Sequence, residues 1–427
     1  MIPTKETLPR FTSEYSDHTA NDILRIAMDV GEGLLKSGGE IRRVETTIEK
    51  ICLAYGAVHV EVFSIQSLII ASVRMADGGY SSQTRRISDV SNHMLCLEAY
   101  NGLSRKICAE RPDIEWIDRE ITSIKDKRRY PLWATLLGNV FASGGFAIMF
   151  GGSLRDALAA SLIGLIIGVL EHLGIFNFNK LTNTLLLSFI SGLLTCLSVI
   201  VGIGESMDTI AIGTIMLLVP GLLLGNAMRD LLSGDTLTGT LKTVQSCITA
   251  IMIASGYSLA IITLGRFCSD PEPHQGLLLV DTLLKLISSF LGTVGFALMF
   301  KSPMRRLLAS GIGGLITYII YEVSLYLGLV PMIAALMSAL FMHSAAEVCA
   351  KLFRAPAIPF FLCFAIPLVP GGSLYYSIYN ILYGNASASL HYLSMTGQIL
   401  LGMVLGICIS STIVGIIGKI ANRTKKE

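Results

Sequence analysis

Charged residues are scarce in this chain of 427 residues. Asp, Glu, Lys and Arg make up only 15% of it, 52% of the residues are apolar, and the formal net charge is +2. No basic tract with interleaved aromatic residues occurs, so the chain lacks the surface by which proteins bind nucleic acid. The composition predicts a membrane protein with the lipid bilayer as partner and no nucleic acid.

Several signatures of enzymes and metalloproteins are also missing. The nine cysteines form no CxxC pair and no metal-ligand spacing, so we expect neither structural zinc nor disulfides. No P-loop, no dinucleotide-binding fingerprint and no HExxH motif occurs. The sequence therefore predicts no cofactor, no metal and no catalytic residues. Because the first ten residues are polar and lack the apolar core of a secretory signal, the N-terminus is expected in the cytoplasm.

The charge that is present is concentrated in the first third of the chain. Residues 1–130 hold 18 of the 33 Lys and Arg and 19 of the 31 Asp and Glu. Apolar residues recur at helical spacing in 21–37 and 40–55, three strand-like runs follow between 58 and 87, and an amphipathic helix is expected over about 90–109. Residues 1–130 are thus predicted to be a soluble, cytoplasmic α+β domain.

The rest of the chain is rich in runs long enough to cross a bilayer as helices. About 20 predominantly apolar residues are needed for one span, and ten such windows can be placed. They are 132–150, 155–173, 181–203, 207–226, 239–264, 276–300, 307–327, 330–350, 357–380 and 395–418. Lys and Arg cluster at alternate ends of these windows, which puts both termini in the cytoplasm by the positive-inside rule. The fold class is therefore a polytopic α-helical membrane protein with about ten transmembrane helices.

The two halves of the membrane part are similar to each other. Residues 146–166 and 296–316 are identical at 10 of 21 positions, without a gap, at an offset of 150. Residues 131–265 and 276–420 are therefore predicted to be two repeats of five helices each. An odd number of spans inserts the second repeat upside down, as in the inverted repeats of many secondary transporters.

Each repeat also carries a proline and a glycine inside an apolar run, again at the offset of 150. A break in a membrane helix frees backbone polar groups, so it is tolerated only where it is packed in protein or lines a wet cavity. Paired breaks in corresponding halves point to a transporter's substrate site. The substrate-binding residues predicted from the breaks and their polar neighbours are Pro220, Gly221, Asn226, Pro370, Gly371, Ser373 and Tyr376.

Ionisable residues at membrane depth are costly, and each is a functional candidate by default. The residues predicted to couple or gate transport are Arg229, Asp230, Asp235, Asp281, Lys285, Glu322, His343 and Glu347. Structural roles are the alternative for several of them. Asp281 and Lys285 could simply pair, His343 and Glu347 could form a proton relay or a structural pair, and Asp235 can cap the next helix.

The choice of substrate stays open at this point. A zwitterion needs one anionic and one cationic subsite, which Glu322 or Glu347 and the N-termini of the broken helices could supply. A dicarboxylate needs two positive subsites, such as Lys242 or Lys285. Because both sets of residues occur, the sequence does not decide between them.

At these residues the chain resembles the threonine/serine exporter family. The resemblance rests on Ser37-Gly-Gly-Glu40 with Arg43-Val44-Glu45, on Asn226 with Arg229-Asp230-Leu231 and Ser233-Gly234-Asp235, and on Pro367-Leu-Val-Pro370-Gly371. The chain looks like a fused member, in which residues up to about 265 resemble the larger subunit of split exporters and about 275–420 the smaller.

The resemblance implies export of small polar metabolites, driven by protons across the cell (cytoplasmic) membrane. It implies threonine and serine for fused members, and dicarboxylates such as succinate for some split members. A membrane-anchored hydrolase that uses the N-terminal domain is the alternative from another class. The oligomeric state, including a homo-oligomer, is left open.

Overall fold

The structure, a computed structural model, describes residues 19–88, 90–126, 130–175, 178–219, 223, 227, 230–231, 234–265, 278–382 and 384–423. The chain separates into two compact units, Met1–Arg129 and Tyr130–Glu427. Each unit is described by itself.

The N-terminal unit has helices packed on one face of a small sheet. Its elements are α1 Ala20–Lys36, α2 Ile41–Ala54, β1 Ala57–Ile65, β2 Leu68–Met75, β3 Tyr80–Arg86, α3 Met94–Glu110 and α4 Ile114–Asp126. The strands pair antiparallel in the order β1-β2-β3. On the central strand, Ile69, Ala71 and Val73 are buried and alternate with more exposed residues, because successive strand side chains point to opposite faces. The predicted α+β domain is confirmed.

Helix α4 was not expected from the sequence. The prediction has a single helix after the sheet, whereas α4 follows α3 after a short turn. Its buried residues Ile117, Ile121 and Ile124 recur at helical spacing. Arg25 of α1 holds α4 in place with two hydrogen bonds of 3.0 and 2.8 Å to the Asp118 carboxylate.

An ion pair also ties β3 to α1. Arg85 Nη2 lies 3.1 Å from Asp29 Oδ1, and Arg25 Nη1 lies 3.3 Å from Asp29 Oδ2. Burial raises the pKa of the Asp29 carboxyl even though the two arginines act in the opposite direction. These arginines therefore offset part of the cost of burying the carboxylate.

The second unit consists of helices. They are α5 Leu132–Met149, α6 Leu154–Leu173, α7 Lys180–Ile200, α8 Met207–Leu218, α9 Thr236–Leu264, α10 Leu278–Met299, α11 Leu307–Tyr326, α12 Pro331–Leu352, α13 Ile358–Ala365, α14 Gly371–Leu382 and α15 Ala386–Arg423. Among the described residues, eight helices are long and apolar enough to cross a membrane, or nine if the bent pair α13–α14 is one span.

Ten spans were predicted, and the fourth and the last differ from their windows. The fourth window, 207–226, is the short apolar helix α8 as far as Leu218, and most of its remainder lies outside the described residues. The last helix begins at Ala386, earlier than the predicted 395, because a window chosen for apolar residues excludes first turns that contain three serines and a histidine.

The two halves share the same internal packing. Helix α5 ends at Met149 and α10 ends at Met299, which keeps the offset of 150. In the first half α7 packs against α9 and α6 against α8; in the second half α12 packs against α15 and α11 against α13. Helices at corresponding places in the sequence therefore have corresponding neighbours.

Helices α5 and α10, which are counterparts, pack against each other through glycines. A Cβ on Gly138 would lie 2.7 Å from the Gly295 carbonyl oxygen, and one on Gly145 would lie 2.8 Å from the Ser288 carbonyl oxygen. Only glycine fits where backbones approach so closely. Moving forward along α5 from 138 to 145 moves backward along α10 from 295 to 288, so the helices run antiparallel. At the offset of 150 each contact is the other's counterpart, the reciprocal pattern of a two-fold contact.

Candidate functional site

Helices α13 and α14 are the two parts of a broken helix. After α13 the chain forms a 3₁₀ turn, Ile366–Leu368, and Val369 is extended before α14 begins at Gly371. The two parts are bent by 48°. Pro370 has no N–H to donate, and the residue before a proline is disfavoured in a helix. The break predicted at Pro370 and Gly371 is present.

The start of α14 contacts the end of α8. A Cβ on Gly371 would lie 2.7 Å from the Met216 sulphur and 3.3 Å from a methyl group of Val219. Helix α8 ends at Leu218, and Val219 is not helical, with φ −57° and ψ 128°. The helix therefore stops where the first break was predicted, and the described ends of the two broken segments adjoin. Four predicted residues of this region lie outside the described residues: Pro220, Gly221, Asn226 and Arg229.

Three buried hydroxyl groups meet close to the breaks. The Tyr257 hydroxyl of α9 lies 2.6 Å from Ser191 Oγ of α7 and hydrogen-bonds Thr214 Oγ1 of α8. The Tyr257 ring packs edge-on against Tyr375 of α14, with the centroids 6.0 Å apart. This network links four helices around the meeting point of the breaks. No sequence pattern indicates this network, because hydroxyl residues are common in membrane helices and no spacing rule relates residues on different helices.

Ser373 and Tyr376, predicted to bind substrate, lie in the first turns of α14. Ser373 Oγ is 2.8 Å from Thr396 Oγ1 of α15 and donates to the Pro370 carbonyl oxygen at 3.1 Å. The Tyr376 ring stacks on Tyr392 of α15, with the centroids 5.1 Å apart. Both residues therefore lie just after the second break and connect it to α15.

Asp230 forms a buried ion pair that the sequence did not indicate. Its Oδ2 lies 2.6 Å from Lys242 Nζ, and the side chains are only 2% and 7% exposed. The chain reverses direction at Gly234, where φ is +93°, and Gly239 packs closely against Leu231. One turn further along α9, Lys242 reaches back to Asp230. No helical spacing rule relates residues twelve apart across a turn, so the pairing was not predictable.

Two pairs of residues at a spacing of four were candidates in the second half. Asp281 and Lys285 share a face of α10 but make no ion pair in this part of the structure. His343 Nδ1 lies 3.0 Å from Ser410 Oγ of the neighbouring helix α15, and Glu347, one turn further along α12, is half-buried. A spacing of four places two side chains on one face of a helix, but a polar group on that face can also bind a residue of the helix packed against it.

Two further predicted residues lie near the ends of helices. Glu322 is exposed near the end of α11. Asp235 occupies the N-cap position of α9, but its side chain makes no capping hydrogen bond. Since ψ of Asp235 is 65°, its backbone departs from the extended conformation usual at an N-cap.

Polar side chains of the N-terminal unit brace the fold. His93 Nδ1 accepts a hydrogen bond from the Cys96 N–H and caps α3. His59 lies 3.2 Å from Glu61 on an exposed strand. Glu45 accepts the Ser64 N–H at 2.8 Å and so joins α2 to β1.

The apolar helices and the polar groups at their breaks define the class: a multi-pass membrane protein. A family model described as a threonine/serine exporter matches residues 25–264, and a second one, described as Threonine/Serine exporter, ThrE, matches residues 285–413. The chain therefore belongs to the threonine/serine exporter family, with the two matches in succession as in a fused exporter. No curated protein and no solved structure matches it. The two matches confirm the resemblance expected from the sequence. The family is one of membrane exporters and not of enzymes.

Proposed function

We propose that the protein is a secondary active exporter that moves threonine and serine out of the cell, driven by the proton motive force. Its membrane is the cytoplasmic membrane, and both termini lie in the cytoplasm. The observation that carries the proposal is the contact between the two helix breaks, through Val219 and Gly371. Backbone groups freed at a break need partners, and a small polar solute can supply them.

The antiparallel contact of α5 and α10 supports a mechanism of alternating access. Gly145 and Gly295 hold corresponding places in the two halves, and each packs against the backbone of the opposite helix. Phe146 and Phe296, another corresponding pair, meet edge to face with centroids 5.5 Å apart. Two similar halves in opposite orientation can exchange conformations about such an axis, which opens the site to one side and then to the other.

The groups near the breaks suit a hydroxy amino acid. The N-terminus of α14, which begins at Gly371, presents backbone N–H groups that attract a carboxylate. The hydroxyl groups of Tyr257, Ser191 and Thr214 can exchange hydrogen bonds with a substrate hydroxyl. Threonine and serine carry both a carboxylate and a hydroxyl. Pro220, Gly221, Asn226, Pro370, Gly371, Ser373 and Tyr376 remain the proposed binding residues.

Proton coupling is proposed for His343. The imidazole is buried between α12 and α15 beside Ser410, and histidine takes up and releases a proton near neutral pH. The expected result of His343→Gln is loss of the response of transport to a pH gradient, with counterflow in the absence of a gradient retained. An unchanged response would assign coupling to another of the predicted residues.

The proposal is tested by counterflow in proteoliposomes with labelled threonine, serine and succinate, with and without a pH gradient. We expect exchange of threonine and serine, and net flux that rises with the gradient. Exchange of succinate alone would establish the dicarboxylate alternative, and no flux of any of the three would reject the substrate assignment.

The break itself is tested by Pro370→Ala. Restoring the missing N–H favours a continuous helix, so transport should fall by about tenfold or more while the protein still inserts, since misplacing a site by an ångström costs far more than that in well-aligned systems. Pro331→Ala is the matched control, because Pro331 lies at the first position of α12, where a helix needs no N–H. Equal transport rates in both variants would reject a site at the break.

A further inference from the structure

The buried ion pair of Asp230 and Lys242 is expensive, and stability does not account for it. Removing two charges from water costs several kcal/mol per ion, and replacing a buried pair with apolar residues is often neutral or stabilising. In a membrane helix the cost of charge is a further reason to look for function. Here the carboxylate and the ammonium are 2.6 Å apart and almost fully enclosed.

The second half of the protein builds the same turn without charges. The Asp235 N–H donates to the Asp230 carbonyl oxygen at 2.9 Å, and at the offset of 150 the Asn385 N–H donates to the Asn380 carbonyl oxygen at 2.8 Å. The counterpart of Lys242 is Tyr392. Since the backbone of the turn forms around neutral side chains, the ion pair is not needed to make it.

We propose that Asp230 and Lys242 are a charged subsite for a zwitterionic solute, an inference that rests on the proposed function and specifies its substrate class. The solute's carboxylate replaces Asp230 at Lys242, and its ammonium replaces Lys242 at Asp230. This exchange leaves both Asp230 and Lys242 beside an opposite charge and adds no net charge. A dicarboxylate pairs with Lys242 but puts a second negative charge beside Asp230, which is repulsive.

The position of the pair in the chain fits this role. Asp230 follows Pro220 of the first break by ten residues, and Lys242 lies in the second turn of α9, the helix that also carries Tyr257. With the proposed orientation, this end of α9 faces the cytoplasm, the side from which an exporter takes up its solute. The pair therefore lies on the approach to the breaks and selects the solute before it reaches them.

The main test removes both charges with the double variant D230N/K242M. A pair that only stabilises the fold should tolerate this change, whereas a zwitterion subsite should lose threonine counterflow by about tenfold or more, as expected when charged partners of a ligand are removed. The matched control is R155Q/E205Q, which removes an exposed ion pair of 3.2 Å in the same unit and should keep wild-type flux. Wild-type flux in D230N/K242M would overturn the inference.

A second variant tests the subsite by the ratio of two solutes, a measurement that does not depend on how much protein inserts. D230N retains Lys242, so the ratio of threonine transport to transport of 3-hydroxybutyrate, which lacks the ammonium group, should fall by about tenfold, because only threonine loses a partner. Equal losses for both solutes would mark a structural pair and overturn the inference. If wild-type protein exchanges threonine and D230N does not change this ratio, the subsite inference is wrong and the proposed exporter function is retained. If wild-type protein exchanges succinate but not threonine, both the subsite inference and the proposed substrate are wrong.

Discussion

The turns at the ends of the two broken segments share a glycine and a hydrogen bond among their described residues, and their side chains differ. Gly234 and Gly384 both have positive φ, +93° and +74°, and the same backbone hydrogen bond closes each turn. In the first turn a carboxylate and an ammonium pair across it. In the second, Asn380 Nδ2 donates to the Tyr376 carbonyl oxygen at 2.7 Å, and Tyr376 stacks on Tyr392.

The comparison shows which features of these turns the fold requires and which can vary. Both turns need a residue that adopts positive φ without strain, and both have glycine. Charge is not a requirement of this type of turn, because the second turn is held by aromatic stacking instead. The two turns are therefore held by different contacts: an ion pair in the first and stacked rings in the second.

The largest expected effect comes from removing one charge of the buried pair in the first turn. Lys242→Met removes the cation beside the buried Asp230 carboxylate, and breaking a buried pair in this way costs about 3–5 kcal/mol. Tyr392→Phe keeps the stacked ring of the second turn and should cost less than about 1.5 kcal/mol, the scale of one hydrogen bond. Thermal unfolding of both variants in detergent measures the contrast. Equal shifts in Tm would mean that the two turns are held alike.

A second test asks whether the halves contribute equally at the α5–α10 crossing. A Cβ on Gly145 or Gly295 would lie 2.8 or 2.5 Å from backbone atoms of the other helix, so Gly145→Ala and Gly295→Ala should each cost about 1–3 kcal/mol, as for other overpacked sites. Gly397→Ala in α15 is the control, because its Cβ would meet nothing within 4 Å. That variant should gain up to about 1 kcal/mol from helix propensity. A loss at only one of the two crossing glycines would break the reciprocity.

The smallest expected effect on stability concerns the residues that precede α9 and α15, Asp235 and Asn385. Asn385 Oδ1 accepts the Ala388 N–H at 3.2 Å, whereas Asp235 makes no such bond. Asn385→Ala should therefore lower the free energy of unfolding by about 1 kcal/mol, and Asp235→Ala should leave it nearly unchanged. Equal losses would contradict the structural difference between the caps.

Features encoded in local sequence were predictable. The strand over Val58–Phe63 alternates along one run, and the break at Pro370 lies inside an apolar segment where proline has one clear consequence. Helix α4 was missed because its apolar residues Ile117, Ile121 and Ile124 are separated only by charged and hydroxyl residues. In so polar a segment three apolar residues give only a weak helical pattern.

Features made by contacts between helices were not predictable in the same way. Most hydroxyl groups in these helices bond to a carbonyl of their own helix, as Thr195 does with Ser191, so sequence does not show which one crosses to a neighbour. The partner of His343 is Ser410, 67 residues away. The partner of Asp230 lies across a turn whose geometry depends on Gly234. The contacts of the candidate site thus depend on distances between helices, which a pattern in the linear sequence does not contain.

The reciprocal contacts of α5 and α10 also bear on how such a chain could arise. An interface in which one residue's contact is repeated by its counterpart is what two copies of a single protein form about a two-fold axis. A half-length ancestor that inserted in both orientations would close the same Gly138–Gly295 and Gly145–Ser288 contacts with a second copy of itself. Fusion of two copies would keep that dimer interface inside one polypeptide and leave each turn free to diverge.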